Sequence, residues 1–552
     1  MKLIDKTIGQ LLKDIAIEIP NNIGLEYNTR DLSLTWEELD KLTDEIAKGF
    51  MSLGIQKGDK VAIWATNIPE WFYTLYATAK IGAVLVTINT NYKVFELEYL
   101  LSQSDTKALV CMQGFKDTNY VEIINELIPN LVDSKEEIKC DRLPELKRII
   151  FAGENTPQGM IKFDDLVEFG KAIPNEEYFE RFNSIKADEI VNMQYTSGTT
   201  GFPKGVMLSH KNVVNNGNTI GKGMALTKKD KLCICVPMFH CFGLVLAFLA
   251  CLTNKATMVA VEYYNPVVVM ETLSKKKCTA VHGVPTMFIG MLENKAFDQF
   301  DFSHLRTGIM AGSPCPIEIM KQVVERMNMK DIVIVFGQTE ASPGCTMTTT
   351  KDTIEQRVTT VGKAFPNVEC KIINPDTGEE MPDGEPGEFV ARGYNIMHGY
   401  YKMPEATKNV IDNQGWLHTG DLCIKNSDGY YKVVGRIKDM IIRGGENIYP
   451  KEIEEFLYTV DGIRDVQVVG VPSERYGEEV MVFIILKKGV SYTDEDIKKL
   501  VKKNMARHKV PSYVKFLDEF PTTASGKIQK FKLREMGIKL LSLQHAANIE
   551  TA

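Results

Sequence analysis

The sequence lacks any apolar run long enough to cross a membrane and any recognisable leader. Its longest uncharged apolar stretch runs from Cys241 to Leu252, which is shorter than the roughly 20 residues of a membrane span, so we expect a buried helix there. Acidic side chains stand early, at Asp5 and Asp14, and no arginine precedes Arg30. This pattern is typical of neither a secretion signal nor a transit peptide, and it predicts a cytoplasmic protein with at most peripheral membrane contact.

An excess of positive charge is also absent. The 65 lysine and arginine residues are outnumbered by 72 aspartate and glutamate residues, which gives a formal net charge of −7. A chain with this balance has no overall field for nucleic acid, so any polyanion that it binds must meet a local basic site. The 11 cysteines include no Cys-x-x-Cys pair, which favours free, mostly buried thiols in a reducing compartment.

Helix-like and strand-like segments alternate along the first half of the chain. With 552 residues, of which 44% are hydrophobic, the chain is long enough for several globular units of about 150 residues each. Short β-rich runs occur at Lys60 to Ala65, Ala83 to Ile88 and Lys107 to Met112. Their order favours an α/β layer with mostly parallel strands.

A change of composition between Gly435 and Pro450 indicates a domain junction. Charges, two adjacent glycines and a proline follow turn-rich strands there, and Pro450 is well placed to begin a helix. Beyond the junction the pattern predicts a small α+β domain. Its expected elements are strands at Val466 to Val471 and Val480 to Leu486, a helix capped by Thr493, and a strand at Tyr513 to Leu517.

The stretch from Tyr195 to Gly205, YTSGTTGFPKG, concentrates hydroxyls, glycines and one lysine. We interpret it as a strand ending near Tyr195, a loop, and then a helix with Ser209 as its N-cap. Glycine-rich loops turn backbone N–H groups toward phosphate, and hydroxyl and ammonium donors reinforce such a site. The Walker A pattern fails because Lys204 precedes Gly205, which disfavours a P-loop kinase or GTPase. Taken alone, the stretch also fits an exposed, turn-rich linker.

Other motifs accompany this stretch in a fixed order. YTSGTTGFPKG resembles the signature of the AMP-forming adenylating enzymes, the superfamily of acyl-CoA synthetases, amino-acid adenylation domains and firefly luciferase, and the resemblance is strongest to medium-chain fatty acyl-CoA synthetases. The further motifs that carry it, over nearly the whole chain, are LSLTWEEL (Leu32 to Leu39), PMFHCFG (Pro237 to Gly243), AGSP (Ala311 to Pro314), FGQTE (Phe336 to Glu340), HTGDL (His418 to Leu422), GRIKDMIIRGGENIYPKEIE (Gly435 to Glu454) and PTTASGKIQK (Pro521 to Lys530).

The resemblance implies a fold and a division of the chain. We expect an α/β protein whose large, multi-layer N-terminal domain, residues 1–437, combines β-sheets flanked by helices with a small β-barrel-like subdomain. Residues 438–552 are expected to form a smaller, mobile α+β domain that carries the catalytic lysine. A monomer or a homodimer is expected.

The resemblance also implies the chemistry. A carboxylate is a poor acyl donor, so it attacks the α-phosphate of ATP, releases pyrophosphate and becomes an acyl-adenylate, from which CoA displaces AMP. The first step gathers negative charge at one point and therefore requires fixed positive groups and Mg²⁺. ATP, Mg²⁺ and CoA are the expected cofactors, and a medium-chain fatty acid is the expected substrate.

The nucleotide site follows from the matched motifs. The resemblance assigns the adenine to AGSP and Phe336, the α-phosphate to Thr339, Mg²⁺ to Glu340, and the ribose hydroxyls to Asp421 and Arg436. Singly, Phe336 also fits a core position, Glu340 a helix cap and Asp421 a turn. The full set of expected ATP- and AMP-binding residues is Thr196, Ser197, Gly198, Thr199, Thr200, Lys204, Gly312, Ser313, Pro314, Phe336, Gly337, Gln338, Thr339, Asp421, Arg436 and Lys527.

Lys527 is the residue expected to act in the first half-reaction, because a flexible ammonium can bridge the attacking carboxylate and the α-phosphate. By resemblance, Lys438 is the hinge about which the small domain rotates. The expected catalytic set is Lys527, Thr339, Glu340 and His240; the expected pantetheine tunnel is Arg443, Gly444 and Gly445; and the expected acyl pocket is His240, Phe242 and Gly243.

Alternatives to this interpretation remain open in the sequence. His240 replaces the aspartate that amino-acid-activating relatives use, which argues against an α-amino acid, although a lone histidine also fits a structural role. An acyl-AMP ligase that loads a separate acyl carrier protein, a ligase for alicyclic or aromatic acids, and a silent adenylate-binding protein are the competing hypotheses. The basic helix beginning near Ile497 fits a solvated face, a CoA phosphate contact or a membrane surface.

Overall fold

The strands predicted in the first half of the chain lie side by side in a seven-stranded sheet. The computed structural model describes residues 2–133, 137–196, 203–312, 315–443, 446–473, 476–505, 507–523 and 526–543. Lys60–Trp64 pairs in parallel with Val84–Thr87 and with Thr106–Cys111, which confirms the predicted parallel α/β layer. In spatial order the strands are Lys204–Ser209, Ile190–Thr196, Val84–Thr87, Lys60–Trp64, Thr106–Cys111, Arg148–Phe151 and Ile161–Lys162.

A second seven-stranded sheet joins the beginning of the chain to its middle. Thr257–Ala260 pairs in parallel with Ile23–Tyr27 on one side and with Lys231–Ile234 on the other. In spatial order its strands are Asp331–Val333, Thr307–Met310, Ala280–Gly283, Lys231–Ile234, Thr257–Ala260, Ile23–Tyr27 and Ser33–Thr35.

Helices flank these sheets, and polar caps explain where several of them begin. Thr35 and Ser209 each form a capping box, in which the cap hydroxyl and the side chain three residues later exchange hydrogen bonds with the backbone. None of the helices among the described residues is both long and apolar enough to cross a membrane. The α-helices are Ile8–Glu18, Trp36–Ser52, Pro69–Ile81, Val94–Gln103, Tyr120–Leu127, Asp165–Gly170, Asn175–Ser184, His210–Gly223, Ala250–Asn254, Pro266–Lys275, Pro285–Leu292, Ile317–Arg326, Ile354–Thr359, Pro404–Lys408, Pro450–Tyr458, Asp494–Asn504 and Lys530–Leu540.

In the described part of the chain, three smaller antiparallel sheets lie within residues 1–437, the part expected to form the N-terminal domain with its barrel-like subdomain. One has three strands, Val335–Gly337, Gly344–Met347 and Lys363–Ala364. Another has four strands, Val368–Ile373, Gly387–Gly393, Leu417–Lys425 and Tyr431–Arg436. A two-stranded hairpin joins Gly114–Phe115 to Thr118–Asn119.

The C-terminal part has the predicted α+β character. Pro450 begins a helix at its first position, and Thr493 caps Asp494–Asn504 with a capping box. The two long strands Ile463–Ser473 and Gly477–Leu486 pair in antiparallel fashion, and Tyr513–Phe516 adds to the second of them in parallel. The sheet of this part contains Glu446–Ile448, Ile441–Arg443, Gly477–Leu486, Ile463–Ser473 and Tyr513–Phe516.

Two local features differ from the sequence-based expectation. The segment after the phosphate loop is not simply a loop leading to a helix, because Lys204–Ser209 forms a strand that pairs with Ile190–Thr196 before the helix begins. The composition of this short segment gave no signal for its backbone pairing with the preceding strand across the loop. The apolar stretch that begins at Cys241 is a buried helix as predicted, but Phe242–Leu249 has π-helical hydrogen bonding, a rare form that often occurs at functional sites.

Candidate active site

The phosphate-binding stretch connects two antiparallel strands. Thr196 ends one strand and Lys204 begins the other, and the two residues are paired across the hairpin. Lys204 Nζ lies 5.1 Å from the centroid of the Tyr400 ring. The hairpin therefore holds both ends of the loop together and presents an ammonium group beside them. Ser197, Gly198, Thr199 and Thr200 lie outside the described residues, so their phosphate contacts stay predictions.

Gly312, in the N-terminal part of the chain, lies beside Lys527 of the C-terminal part. Its φ of +89° is in the left-handed region, and a Cβ there would stand 3.1 Å from Val284 Cγ1 and 3.2 Å from Lys527 Cε. Glycine is therefore required both by the backbone conformation and by the close approach of the lysine stem. Ser313 and Pro314, the next two residues of the AGSP motif, lie outside the described residues.

We expect Gly312→Ala to slow acid-dependent ATP–pyrophosphate exchange by about tenfold, because an added Cβ strains the left-handed backbone and pushes against Lys527. Gly378→Ala is the matched control, since Gly378 has φ +75° but nothing within 4 Å of an added Cβ. The control reproduces the backbone strain without the contact. Equal exchange rates in the two variants would contradict the predicted packing against Lys527.

In the segment from Phe336 to Glu340, the backbone of Gly337 passes close to the backbone of Pro343. The Phe336 ring meets the Phe389 ring edge to face, with centroids 5.2 Å apart. A Cβ on Gly337 would lie 1.9 Å from the Pro343 carbonyl oxygen, so only glycine fits. The Gln338 carbonyl then accepts a hydrogen bond from the Ala341 N–H at 2.8 Å. These contacts define the path of the backbone as it leaves the strand that contains Phe336 and Gly337 and passes through Gln338.

Thr339 and Glu340 begin the short 3₁₀ helix that follows this turn. Thr339 is buried near the thiol of Cys241, whose pKa burial raises to about 12. Tyr400 donates its hydroxyl proton to Glu340 Oε1 at 2.8 Å. No described residue donates to the other carboxylate oxygen of Glu340, and carboxylate oxygens are the ligands that Mg²⁺ prefers. The donor set therefore fits a Mg²⁺ ion held together with ATP phosphates.

Asp421 and Arg436 face each other on adjacent strands. Arg436 Nε lies 2.7 Å from Asp421 Oδ1, and the Asp421 side chain is only 4% exposed. Burial raises the pKa of the Asp421 carboxyl, and the Arg436 charge opposes that rise. The Asp421 carboxylate accepts and the Arg436 guanidinium donates hydrogen bonds, a combination that suits the hydroxyls of a ribose, and the ribose role of both residues stays a prediction.

Lys527 and His240 approach each other from different parts of the chain. Lys527 Nζ lies 3.5 Å from His240 Nε2. The Phe242 N–H donates to His240 Nδ1 at 3.1 Å, so a neutral ring carries its proton on Nε2. Two donors then point into the same space, and an anionic oxygen there would accept from both.

The surroundings shift the pKa values of both His240 and Lys527. Burial, reinforced by the positive charge of Lys527, lowers the pKa of His240 to about 3, so the imidazole is neutral at physiological pH. Burial lowers the pKa of Lys527, and the Arg436 charge lowers it further, whereas Asp421 and Glu340 raise it. The ammonium form of Lys527 is thus sensitive to the anions around it.

We expect the rate of ATP–pyrophosphate exchange to fall as pH rises through a midpoint below 10.5, the ordinary lysine value. The sign follows from the lowered pKa: the charged lysine is present below that midpoint and is lost above it. Lys527→Arg replaces the titrating group with one that stays protonated. The residual exchange activity of Lys527→Arg should lack this alkaline decline, and an unchanged decline would assign it to another group.

The loop that carries Lys527 is fixed at both of its sides. Thr286 Oγ1 donates to the Gly526 carbonyl at 3.1 Å, and the Lys527 N–H donates to Thr523 Oγ1 at 3.1 Å. A second contact joins the C-terminal part to the N-terminal part: Arg464 forms an ion pair with Glu293 at 2.9 Å. The orientation described here therefore delivers Lys527 to the site around Gly312.

The predicted hinge and pantetheine residues are less directly connected to this centre. Lys438 lies in the 3₁₀ turn Ile437–Asp439, immediately after the strand that contains Arg436. Arg443 forms an ion pair with Glu479 at 2.7 Å and donates to the His508 carbonyl at 2.8 Å. Its guanidinium thus supports the C-terminal sheet in this orientation. Gly444 and Gly445 lie outside the described residues, and the tunnel stays a prediction.

The predicted acyl pocket begins at the π-helix. A Cβ on Gly243 would lie 2.4 Å from the Pro237 carbonyl oxygen, so the PMFHCFG turn requires glycine there. The Phe242 ring stacks on His282 with centroids 6.0 Å apart. His282 contacts the Leu246 carbonyl through Nε2 at 2.9 Å and accepts from the Ile309 N–H. Both of its nitrogens are used internally, so His282 supports the helix and leaves this wall apolar.

Comparison with known proteins identifies the family. The sequence profile described as AMP-binding enzyme matches residues 18–401. The chain belongs to the AMP-binding enzyme family. The profile described as AMP-binding enzyme C-terminal domain matches residues 452–527, which include Lys527. The recognition of an adenylate-forming enzyme is thereby confirmed.

Relatives of this AMP-binding enzyme match it over almost its whole length. YngI of Bacillus subtilis (strain 168), named as an acyl-CoA synthetase, is 52% identical over 98% of this chain and 99% of its own. The mitochondrial medium-chain acyl-CoA ligase ACSF2 of Homo sapiens is 38% identical over 98% of this chain and 89% of its own.

Solved structures of similar proteins share the fold. The anthranilate CoA ligase AuaEII in complex with anthranoyl-AMP has a TM-score of 0.85 at 25% identity, covering 98% of this chain and 99% of its own. ATP-bound MatB from Rhodopseudomonas palustris has a TM-score of 0.82 at 26% identity, covering 97% and 100%. The predicted architecture is therefore confirmed for this AMP-binding enzyme.

Several residues beside the centre of this AMP-binding enzyme had no signal in the sequence. Tyr400 contacts Glu340 and Lys204, and His282 stacks on Phe242. Thr286 donates to Gly526, the neighbour of Lys527, and Cys241 lies between His240 and Phe242 in the chain. None of the four had been assigned a site role from its motif. They approach the site through distant strands, turns and the π-helix.

Proposed function

We propose that this AMP-binding enzyme activates a carboxylic acid with ATP and transfers the acyl group to CoA. The observation that carries the proposal is the convergence of Lys527 Nζ and His240 Nε2, 3.5 Å apart, beside Gly312. Two positive or proton-bearing groups directed at one point suit a carboxylate that attacks a phosphate, because both reactants are anions. A lone core histidine would have no reason to face a buried lysine from another part of the chain.

In the first step the acid's carboxylate oxygen attacks the α-phosphorus of ATP. A new P–O bond forms, and the bond to the pyrophosphate oxygen breaks. Lys527 and His240 hold the attacking carboxylate, Thr339 donates to the α-phosphate, and Lys204 receives the departing pyrophosphate. Bound Mg²⁺, for which Glu340 is the proposed ligand, supplies further neutralisation of the phosphate charge. Phe336 and Gly312 flank the adenine, while Asp421 and Arg436 bind the ribose.

In the second step the sulfur of CoA attacks the acyl carbon of the adenylate. A thioester C–S bond forms, the C–O bond to AMP breaks, and the thiol proton passes to water. We propose that residues 438–552 rotate about Lys438 between the steps. Rotation withdraws Lys527 and brings the segment with Arg443, Gly444 and Gly445 to the acyl group, where small residues leave room for the pantetheine arm.

The substrate that we propose is a medium-chain fatty acid. The relative named as a medium-chain acyl-CoA ligase is 38% identical over nearly the whole chain, whereas the anthranilate ligase is 25% identical. The π-helix Phe242–Leu249 is buried and apolar, and His282 directs no free nitrogen toward it. A hydrocarbon chain is compatible with such a wall, and a ring with polar substituents is not favoured.

The remaining features of the proposal concern the whole molecule. The proposed boundary between the two domains is at residues 437 and 438, between the segments that the two family profiles match. We propose a cytoplasmic enzyme that acts as a monomer or homodimer on small molecules and does not bind nucleic acid. Contact with a membrane is at most peripheral.

A pyrophosphate-release assay tests the function and the substrate together. The purified chain is incubated with ATP, Mg²⁺ and CoA and with acids of graded length and shape, including alicyclic and aromatic acids. Release should be fastest with unbranched acids of medium length and should yield the matching acyl-CoA. Thioester formed only with a holo-carrier protein would indicate a carrier-loading ligase, and no release with any acid would refute the proposal.

A further inference from the structure

Tyr400 contacts two residues to which the proposed mechanism gives roles at the ATP phosphates. Its hydroxyl donates to Glu340 Oε1 at 2.8 Å, and Lys204 Nζ lies over its ring at 5.1 Å from the centroid. Glu340 is the proposed Mg²⁺ ligand and Lys204 is the proposed pyrophosphate contact. One side chain therefore touches both.

The backbone around Tyr400 is bound to the strand that follows the phosphate loop. Tyr400 forms an antiparallel bridge with Val206, and the Tyr401 N–H donates to the Gly205 carbonyl at 2.8 Å. The Tyr400 N–H donates to Thr407 Oγ1 at 2.9 Å. Because of these bonds, Tyr400 keeps a fixed position relative to the loop and its lysine.

Tyr400 is a buried residue, with 6% of its surface exposed. Its ring is fixed beneath an ammonium group, and its hydroxyl has a carboxylate as acceptor. A phenol is a proton donor at neutral pH, and a bond to a charged acceptor is stronger than one between neutral groups. The hydrogen bond from the Tyr400 hydroxyl occupies Oε1 of Glu340 and thereby restricts the direction in which Oε2 points.

We propose that Tyr400 is a positioning residue that orients the Glu340 carboxylate toward Mg²⁺ on the ATP phosphates and couples it to Lys204. This inference rests on the proposed function. The hydroxyl restrains rotation of the carboxylate, so that Oε2 faces the phosphates before the metal arrives. The ring holds the Lys204 ammonium on the same side, through attraction between a cation and an aromatic face.

Binding of ATP with and without Mg²⁺ separates this role from a structural one. Tyr400→Phe keeps the ring beneath Lys204 and removes only the hydroxyl. We expect its affinity for Mg·ATP to fall about tenfold, the value of one hydrogen bond to a charged group. Its affinity for ATP in the presence of a metal chelator should stay within about twofold of the original protein. Both are measured by isothermal titration calorimetry on the full chain.

Tyr401→Phe is the matched control because the neighbouring tyrosine makes the same kind of contacts elsewhere. Its hydroxyl donates to Asp105 Oδ2 at 2.7 Å, and Lys60 Nζ lies over its ring at 4.9 Å. We expect Tyr401→Phe to bind Mg·ATP and metal-free ATP like the original protein. Thermal unfolding of both variants shows whether either substitution damages the fold.

Tyr400→Leu tests the coupling to Lys204. This variant loses the ring as well as the hydroxyl, so we expect metal-free ATP to bind about threefold more weakly than to Tyr400→Phe. Equal binding of metal-free ATP by these two variants would overturn the coupling.

The orientation of Glu340 would be overturned by either of two results. One is that Tyr400→Phe weakens Mg·ATP binding no more than Tyr401→Phe does. The other is that it weakens binding equally with and without the metal. None of these measurements needs an acid substrate, so they stand apart from the pyrophosphate-release assay, whose failure would refute the proposed function itself.

Discussion

Replacing Lys527 with alanine is expected to lower the rate of acyl-adenylate formation by about 10²- to 10³-fold, the usual loss for one preorganised electrostatic donor. Lys527 Nζ is the only ammonium among the described residues that lies within 3.5 Å of His240 Nε2, and its loop is tied to Thr286. Arg436 is the nearby cation whose charge acts on Lys527, and its guanidinium is paired with Asp421, so we expect it to replace the ammonium poorly. The rate is measured as acid-dependent ATP–pyrophosphate exchange.

The same variant should still convert supplied acyl-adenylate and CoA to the thioester, because that step proceeds with Lys527 withdrawn from the site. Lys532→Ala is the control, since Lys532 is an exposed lysine on the following helix. Thermal unfolding should be alike in both variants. If Lys527→Ala slowed both half-reactions equally, Lys527 would not be specific to adenylation.

Lys438→Pro is expected to slow thioester formation from supplied acyl-adenylate by about a hundredfold while affecting adenylation much less. Proline fixes φ near −65°, and a conformation outside that range costs about 3 kcal/mol or more, which corresponds to about a hundredfold in rate. The 3₁₀ turn Ile437–Asp439 already has the φ range that proline prefers. Adenylation uses the orientation described here, whereas the second step requires the backbone to turn.

Lys438→Ala separates the backbone effect from the loss of charge. It removes the ammonium but leaves φ free, so both half-reactions should stay within about threefold of the original rates, as for most exposed side chains. Single-turnover measurements with isolated acyl-adenylate and CoA give the second rate directly. If Lys438→Pro left the rates of both adenylation and thioester formation unchanged, Lys438 would not be the hinge.

Much of the fold could be predicted because its signals are local. The apolar run at Val84–Thr87, the Ser209 cap and Pro450 at a helix start each act within a few residues. The strand Lys204–Ser209 could not be predicted from its own composition, because its pairing with Ile190–Thr196 across the loop determines it. The π-helical bonding of Phe242–Leu249 likewise depends on packing around a uniformly apolar segment.

Part of the candidate site could likewise be predicted from the sequence, and part could not. His240, Glu340 and Lys527 stand in motifs that the resemblance covers, and the structure brings His240 and Lys527 together. Tyr400 was missed because its role depends on contacts with Glu340 and Lys204, which are far from it in sequence. Arg443, expected beside the pantetheine, is bound within the C-terminal sheet in this orientation, and its role in the other orientation stays a prediction.

Oxygen labelling tests most directly whether the acid is activated at the α-phosphate. A medium-chain acid labelled with ¹⁸O in its carboxylate is incubated with the enzyme, ATP, Mg²⁺ and CoA, and the products are analysed by mass spectrometry. Attack on the α-phosphorus places one labelled oxygen in AMP, because the bridging oxygen leaves with AMP when sulfur takes the acyl group. Unlabelled AMP, or label in orthophosphate together with ADP, would contradict acyl-adenylate formation.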